Sequence, residues 1–187
     1  MKSTTIQLDK LYSADPKIKY GFVRELLKIG AKDPTRYYSQ LDRIELLLNN
    51  PNNILKWTGI DMIGYISAVD RDHKIEKEIP VLVNLLHSGQ LITCNHAVFA
   101  LGLIAGNKPE KRKTILKELL LIRKDSFKTN ECREIATGKV LDALIPFLPE
   151  LKKSKPAIEF IRQASGSPRN STRKRAERLL KMLAVQK

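Results

Sequence analysis

The hydrophobic pattern is clearest over residues 50–66. There the polar turn Asn50-Pro51-Asn52 runs into an amphipathic helix, with Leu55, Ile63 and Ile66 placed four before, four after and seven after Gly59. That spacing puts the three apolar side chains on one stripe of a helix. The phrase returns at 88–104, with Ala97 in the place of Gly59 and Leu101-Gly102 in the place of Ile63-Gly64, and again at 167–183, centred on Ala176. Looser copies cover 130–143, centred on Ala136, and 18–29, centred on Phe22. Centres recurring at intervals of about 40 residues mark a helical solenoid. Four of the five centres are Gly or Ala, which lets a neighbouring helix approach closely.

The remaining pattern supplies first helices between these second helices. Residues 3–13 form a short opening helix. Asp15-Pro16 then caps the helix 16–30, with Asp as N-cap and Pro in the first turn. Asp33-Pro34 opens a helix whose apolar residues are Tyr38, Leu41, Ile44, Leu47 and Leu48, and the second repeat helix follows at 53–67. Residues 74–86 form a helix that Pro80 bends. The helices 91–105, 110–124, 131–145, 152–164 and 169–184 complete the chain. The expected architecture is all-α, a right-handed α-α superhelix of about five helix pairs in a single domain, 1–187.

The turn Asn50-Pro51-Asn52 followed by Leu55, Lys56, Gly59 and Ile63-Gly64 resembles the second helix of a HEAT repeat. Ser167-Pro168 with Thr172, Arg173, Ala176 and Leu180 is similar. The fourth copy departs, with a longer turn and Leu141 where the family has Gly, and the first has Phe22 where a small residue belongs. The resemblance covers nearly the whole chain and implies the fold rather than a subfamily.

The net charge is +14, and residues 1–107 carry 13 Lys and Arg against 11 Asp and Glu, while residues 108–187 carry 21 against 9. A basic C-terminal half suggests an anionic partner such as nucleic acid; the competing reading is a lysine-rich solvated surface. No apolar run approaches the ~18 residues of a membrane span, so no membrane partner is expected. The N-terminal residues show no signal-peptide core, and Cys94 and Cys132 read as reduced thiols. A cytoplasmic location is therefore expected. His73, His87 and His96 match no metal-ligand spacing, and no phosphate-binding or nucleophile motif is present, so no metal or cofactor is expected.

Residues two before and two after each centre lie across the helix from its core stripe at 100° per residue. This arithmetic places Tyr20, Arg24, Trp57, Asp61, Asn95 and Phe99, with Tyr65 one turn beyond Asp61, on the concave binding face. On the last helix Arg169, Arg173, Lys174, Arg178 and Lys181 form a candidate anion-binding surface, with Arg173 alternatively tethered inward. Trp57 and Asp61 stand one turn apart, an aromatic beside a carboxylate. The pair is similar to that of the bacterial alkylpurine DNA glycosylases, which are built from HEAT-like repeats. By that resemblance Trp57 would stack on a base and Asp61 would stabilise cationic sugar chemistry. Those enzymes use a second Trp, and this chain has none. The competing reading packs Trp57 at a repeat seam and leaves Asp61 solvated.

Two functions follow. One is a non-enzymatic scaffold binding a protein partner on its concave surface. The alternative is a nucleic-acid-binding protein, with glycosylase-like activity as its sharpest form.

Overall fold

The computed structural model describes residues 8–185, so positions 3–7 of the expected opening helix lie outside the described residues. All regular structure in the described residues is helical. The chain divides into two compact units, Met1–Leu82 and Val83–Lys187.

In the first unit a 3-10 turn, Leu8–Tyr12, precedes α1 (Pro16–Lys32). Asp15 caps α1 as its sequence dictates: the carboxylate accepts from the Lys17 N–H at 2.7 Å, and Pro16 fills the first helical position. The helix expected after Asp33-Pro34 is broken into α2 (Thr35–Tyr38), α3 (Leu41–Glu45) and a 3-10 turn, Leu46–Asn49. The break falls at Gln40, whose φ of −112° and ψ of 14° leave the helical region. Tyr38 is pinned at that point, its hydroxyl donating to Asp70 and Asp72 at 3.0 Å each.

Helix α4 (Asn53–Ile66) is the centre of this unit. Asn52 caps it by accepting from the Ile54 and Leu55 N–H groups at 3.0 and 3.3 Å. It packs against α1 on one flank and against α2, α3 and the turn 46–49 on another. Gly59 is needed for the second contact, because a Cβ there would lie 2.6 Å from Leu47 Cβ. On the first flank, a Cβ at Gly30 of α1 would lie 2.6 Å from Met62 Sδ. With two neighbours, α4 buries Ile60, Met62, Ile63 and Ile66 completely. Each such side chain contributes about 1.5–3 kcal/mol relative to exposure.

Pro80 interrupts the helix expected over 74–86. Lys74–Glu78 is a 3-10 turn and α5 (Ile79–Leu86) begins one residue before the proline, which lacks an N–H and fixes its own φ. The division between the units falls within α5.

The second unit holds α6 (Leu91–Asn107), α7 (Pro109–Leu121), α8 (Asn130–Leu144), α9 (Leu148–Leu151), α10 (Lys155–Ser165) and α11 (Asn170–Val185). Helices α6, α8 and α11 pack in sequence as one layer, while α7 and α10 pack on each other and on α8. The centres Ala97, Ala136 and Ala176 are all completely buried. Helix α10 starts later than expected, at Lys155, because Ser154 caps it by accepting from the Ala157 N–H at 3.3 Å. Among the described residues no helix is long and apolar enough to cross a membrane.

Candidate interaction surfaces

In the first unit, the two candidates on α4 differ in exposure. Trp57 is half-buried. Asp61, expected to be solvated, has only 9% of its surface exposed. On the first flank, α1 covers the side of α4 that carries Met62 and Tyr65, where a Cβ at Gly30 would meet both side chains. Burial pushes the Tyr65 phenol above its ordinary value, and the Asp61 charge adds to the shift. Tyr20 is half-buried and accepts a hydrogen bond from Asn52 Nδ2 at 3.2 Å, while Arg24 is exposed. Trp57 and Asp61 do share one helix a turn apart, but Asp61 is a buried carboxylate rather than an open one.

In the second unit, α6 presents Asn95, half-buried, and Phe99, 39% exposed. The structure adds Ile92, two turns before Phe99 on the same side and 51% exposed. Column reading at two before and two after each centre missed it. Its counterpart in the second copy is Ile54, 39% exposed at the same distance before Gly59. An apolar residue at this position in both copies, outside the core stripe, was the available signal.

The same columns are closed on α8. Gly138 lies against α11, where a Cβ would meet Thr172 Oγ1 at 2.9 Å. Glu134 is buried: its carboxylate accepts from Ser167 Oγ at 2.5 Å, Arg123 Nη1 stands 3.5 Å from its other oxygen, and its carbonyl accepts from Thr172 Oγ1 at 2.7 Å. These bonds tie the turn before α11 to the preceding repeat.

The candidate basic surface of α11 separates into two sets. Arg169 pairs with Glu131 at 3.1 Å, and Arg173 donates to the Ser167 carbonyl at 3.2 Å and to Asn170 Oδ1 at 3.1 Å. Arg173 is thus the tethered residue of its repeat. Lys174, Arg178 and Lys181 are exposed.

A further polar tie joins His87 to Asp125, Nδ1 to Oδ2 at 2.7 Å. Cys94 is completely buried in this unit, and burial, with the Asp125 charge second, pushes its thiol from 9.0 up to about 12. Because the folded value is the higher one, the stability this neutral thiol contributes is present below pH 9.0 and lost as pH rises toward about 12. Cys132 is half-buried, with Thr129 Oγ1 donating to its sulfur at 3.2 Å. At pH near 8 a disulfide reagent is expected to modify Cys132 in the native protein and Cys94 only after denaturant is added. Rapid native modification at Cys94, mapped by peptide mass, would contradict its burial.

No family model matches the chain, and no curated protein matches it. The similar solved structures include two repeat-length chains. One is an engineered protein determined as a structural-genomics target, 17% identical, with 94% of each chain covered and a TM-score of 0.51. The other is a designed armadillo repeat protein, 17% identical, with 94% of this chain and 97% of that one covered and a TM-score of 0.47. The first likeness is one of fold. Together with the recurring helix pairs it fits an all-α helical-repeat fold.

Proposed function

We propose that the protein is a non-enzymatic helical-repeat scaffold that binds a protein partner through the faces of its second helices, the side such repeats turn toward their concave surface. The observation that carries this reading is the pair Ile92 and Phe99. They are large apolar side chains on one side of α6, 51% and 39% exposed in a helix whose other apolar residues are largely buried. A folded protein leaves such residues open together most often where a partner covers them. Trp57 and Ile54 on α4, with Tyr20 and Arg24 on α1, offer similar chemistry in the first unit. Buried Asp61 does not favour base excision, and among the α11 candidates only Lys174, Arg178 and Lys181 stand open. A protein partner therefore accounts for more of these residues than nucleic acid does. A cytoplasmic setting, where Cys94 and Cys132 stay reduced, suits this reading.

The test is a comparative capture with the intact chain. The double variant Ile92→Ser/Phe99→Ser is expected to keep its melting temperature within a few degrees, since both side chains are substantially exposed. It should lose the proteins that the parent retains reproducibly. Retention of the same proteins at the same level would remove the α6 face as the binding surface.

A further inference from the structure

A second surface lies on the other layer of the second unit. Helices α7 and α10 enclose a groove of about 1420 Å³, larger than the ~300–1,000 Å³ of small-molecule pockets. Its floor is apolar, made by Leu116 and Leu120 from α7, Leu151 from α9, and Ala157 and Phe160 from α10. Its rims are basic: Lys113, Lys117 and Lys124 on one side, Lys153 and Lys155 on the other, all exposed. Among the described residues none of these five lysines forms an ion pair.

The groove lining stays net basic, with these five lysines, Arg112 and Arg123 against Glu118, Glu150 and Glu159. Glu150 pairs with Arg112, which also stacks 5.1 Å from the centre of the Phe147 ring. Glu159 accepts from Gln163 Nε2 at 2.9 Å, and Glu118 faces His87 Nε2 at 3.5 Å. What remains is an apolar trough between two cationic rails. Lys113 and Lys117 stand one turn apart on α7, so an aligned partner helix with carboxylates at turn spacing would meet both, and Lys124 lies just past the end of α7 in the 3-10 turn Ile122–Lys124.

We infer that the α7–α10 groove docks an acidic amphipathic helix from a protein partner, its apolar side on Leu116, Leu120 and Phe160 and its flanking carboxylates on the lysine rails. The thirteen residues of α7 span about 20 Å, enough for roughly three turns of bound helix. The surface is separate from the α6 face and does not depend on it.

Fluorescence anisotropy with the full chain tests this. The probe is a labelled peptide of about 16 residues with Leu at helical i, i+4, i+7 spacing and Glu on both flanks. Controls are a scrambled peptide of the same composition and an oligothymidine of equal charge. The helix-patterned peptide is expected to bind, and the scramble to bind at least about tenfold more weakly. Lys117→Glu/Lys155→Glu should also weaken the patterned peptide at least about tenfold at an unchanged melting temperature. No binding of the patterned peptide would overturn the inference, as would equal binding of the scramble or no effect of the double reversal. Displacement by oligothymidine at equal charge would also overturn it, showing a general polyanion surface in place of a helix groove.

Discussion

Ala97→Asp is expected to unfold the second unit at neutral pH. Ala97 is completely buried at the centre of α6, which packs against both α7 and α8. A carboxylate there enters a helix contact with no cation built to meet it, and a lone buried charge costs about 3–5 kcal/mol. That is a large fraction of the ~5–15 kcal/mol that holds a domain together. The introduced carboxyl escapes part of this cost by staying protonated, so its pKa is raised in the folded state. The sign follows: the deficit should be smaller in mild acid and grow as pH rises through the raised value. Circular dichroism melts across that range are the check. A parent-like melting temperature at neutral pH would show that Ala97 does not occupy a packed centre.

Gly59 is the second position where a small change should have a large effect. Replacing glycine by alanine inside a helix ordinarily stabilises by about 1 kcal/mol. Here the new methyl would lie 2.6 Å from Leu47 Cβ and 3.3 Å from the Ile44 carbonyl oxygen, so backbone must move. Overpacking of this kind costs about 1–3 kcal/mol, and the net for Gly59→Ala is a loss. Gly59→Val, with two more methyl groups at the same contact, should lose more. Gly21 supplies the contrast. It also sits inside a helix, but a Cβ there would meet nothing within 4 Å, so Gly21→Ala should stabilise by about 0.5–1 kcal/mol. Urea melts of the three variants check the ordering. Leu47→Gly, which removes the Cβ that the new methyl meets, should cost less in the Gly59→Ala background than in the parent, the coupling expected of two atoms competing for one space.

The repeat was legible because its signal is chemical and periodic. A small residue every ~40 positions, flanked by apolar residues at helical spacing, is what stacked helix pairs require of a sequence. Proline and cap positions were equally direct: Asp15, Asn52 and Pro80 act where they stand in the chain. The break near Gln40 was not legible, because it is held by Tyr38 bonding to Asp70 and Asp72, residues more than thirty positions away.

The candidate faces were only half legible, for a related reason. Counting 100° per residue finds the side of a helix opposite its core stripe, but assumes a single neighbour. On α4, Asp61 is covered. Helix α8 has α11 against its second side, so Glu134 and Gly138 are covered too. The columns stay open at Phe99 on α6, at Arg24 on α1 and at Lys174 and Arg178 on α11. The α7–α10 groove left no sequence mark of its own, since its floor residues read as ordinary core positions of two separate helices.

The most direct measurement is site-specific photo-crosslinking in the source cell, with a photoreactive amino acid at position 99 on α6 and, separately, at the exposed loop position 128. A discrete protein adduct that competes with excess unlabelled chain is expected from position 99, and none from position 128. Adducts from 128 alone, or equally from both, would contradict the placement of the partner on the second-helix face.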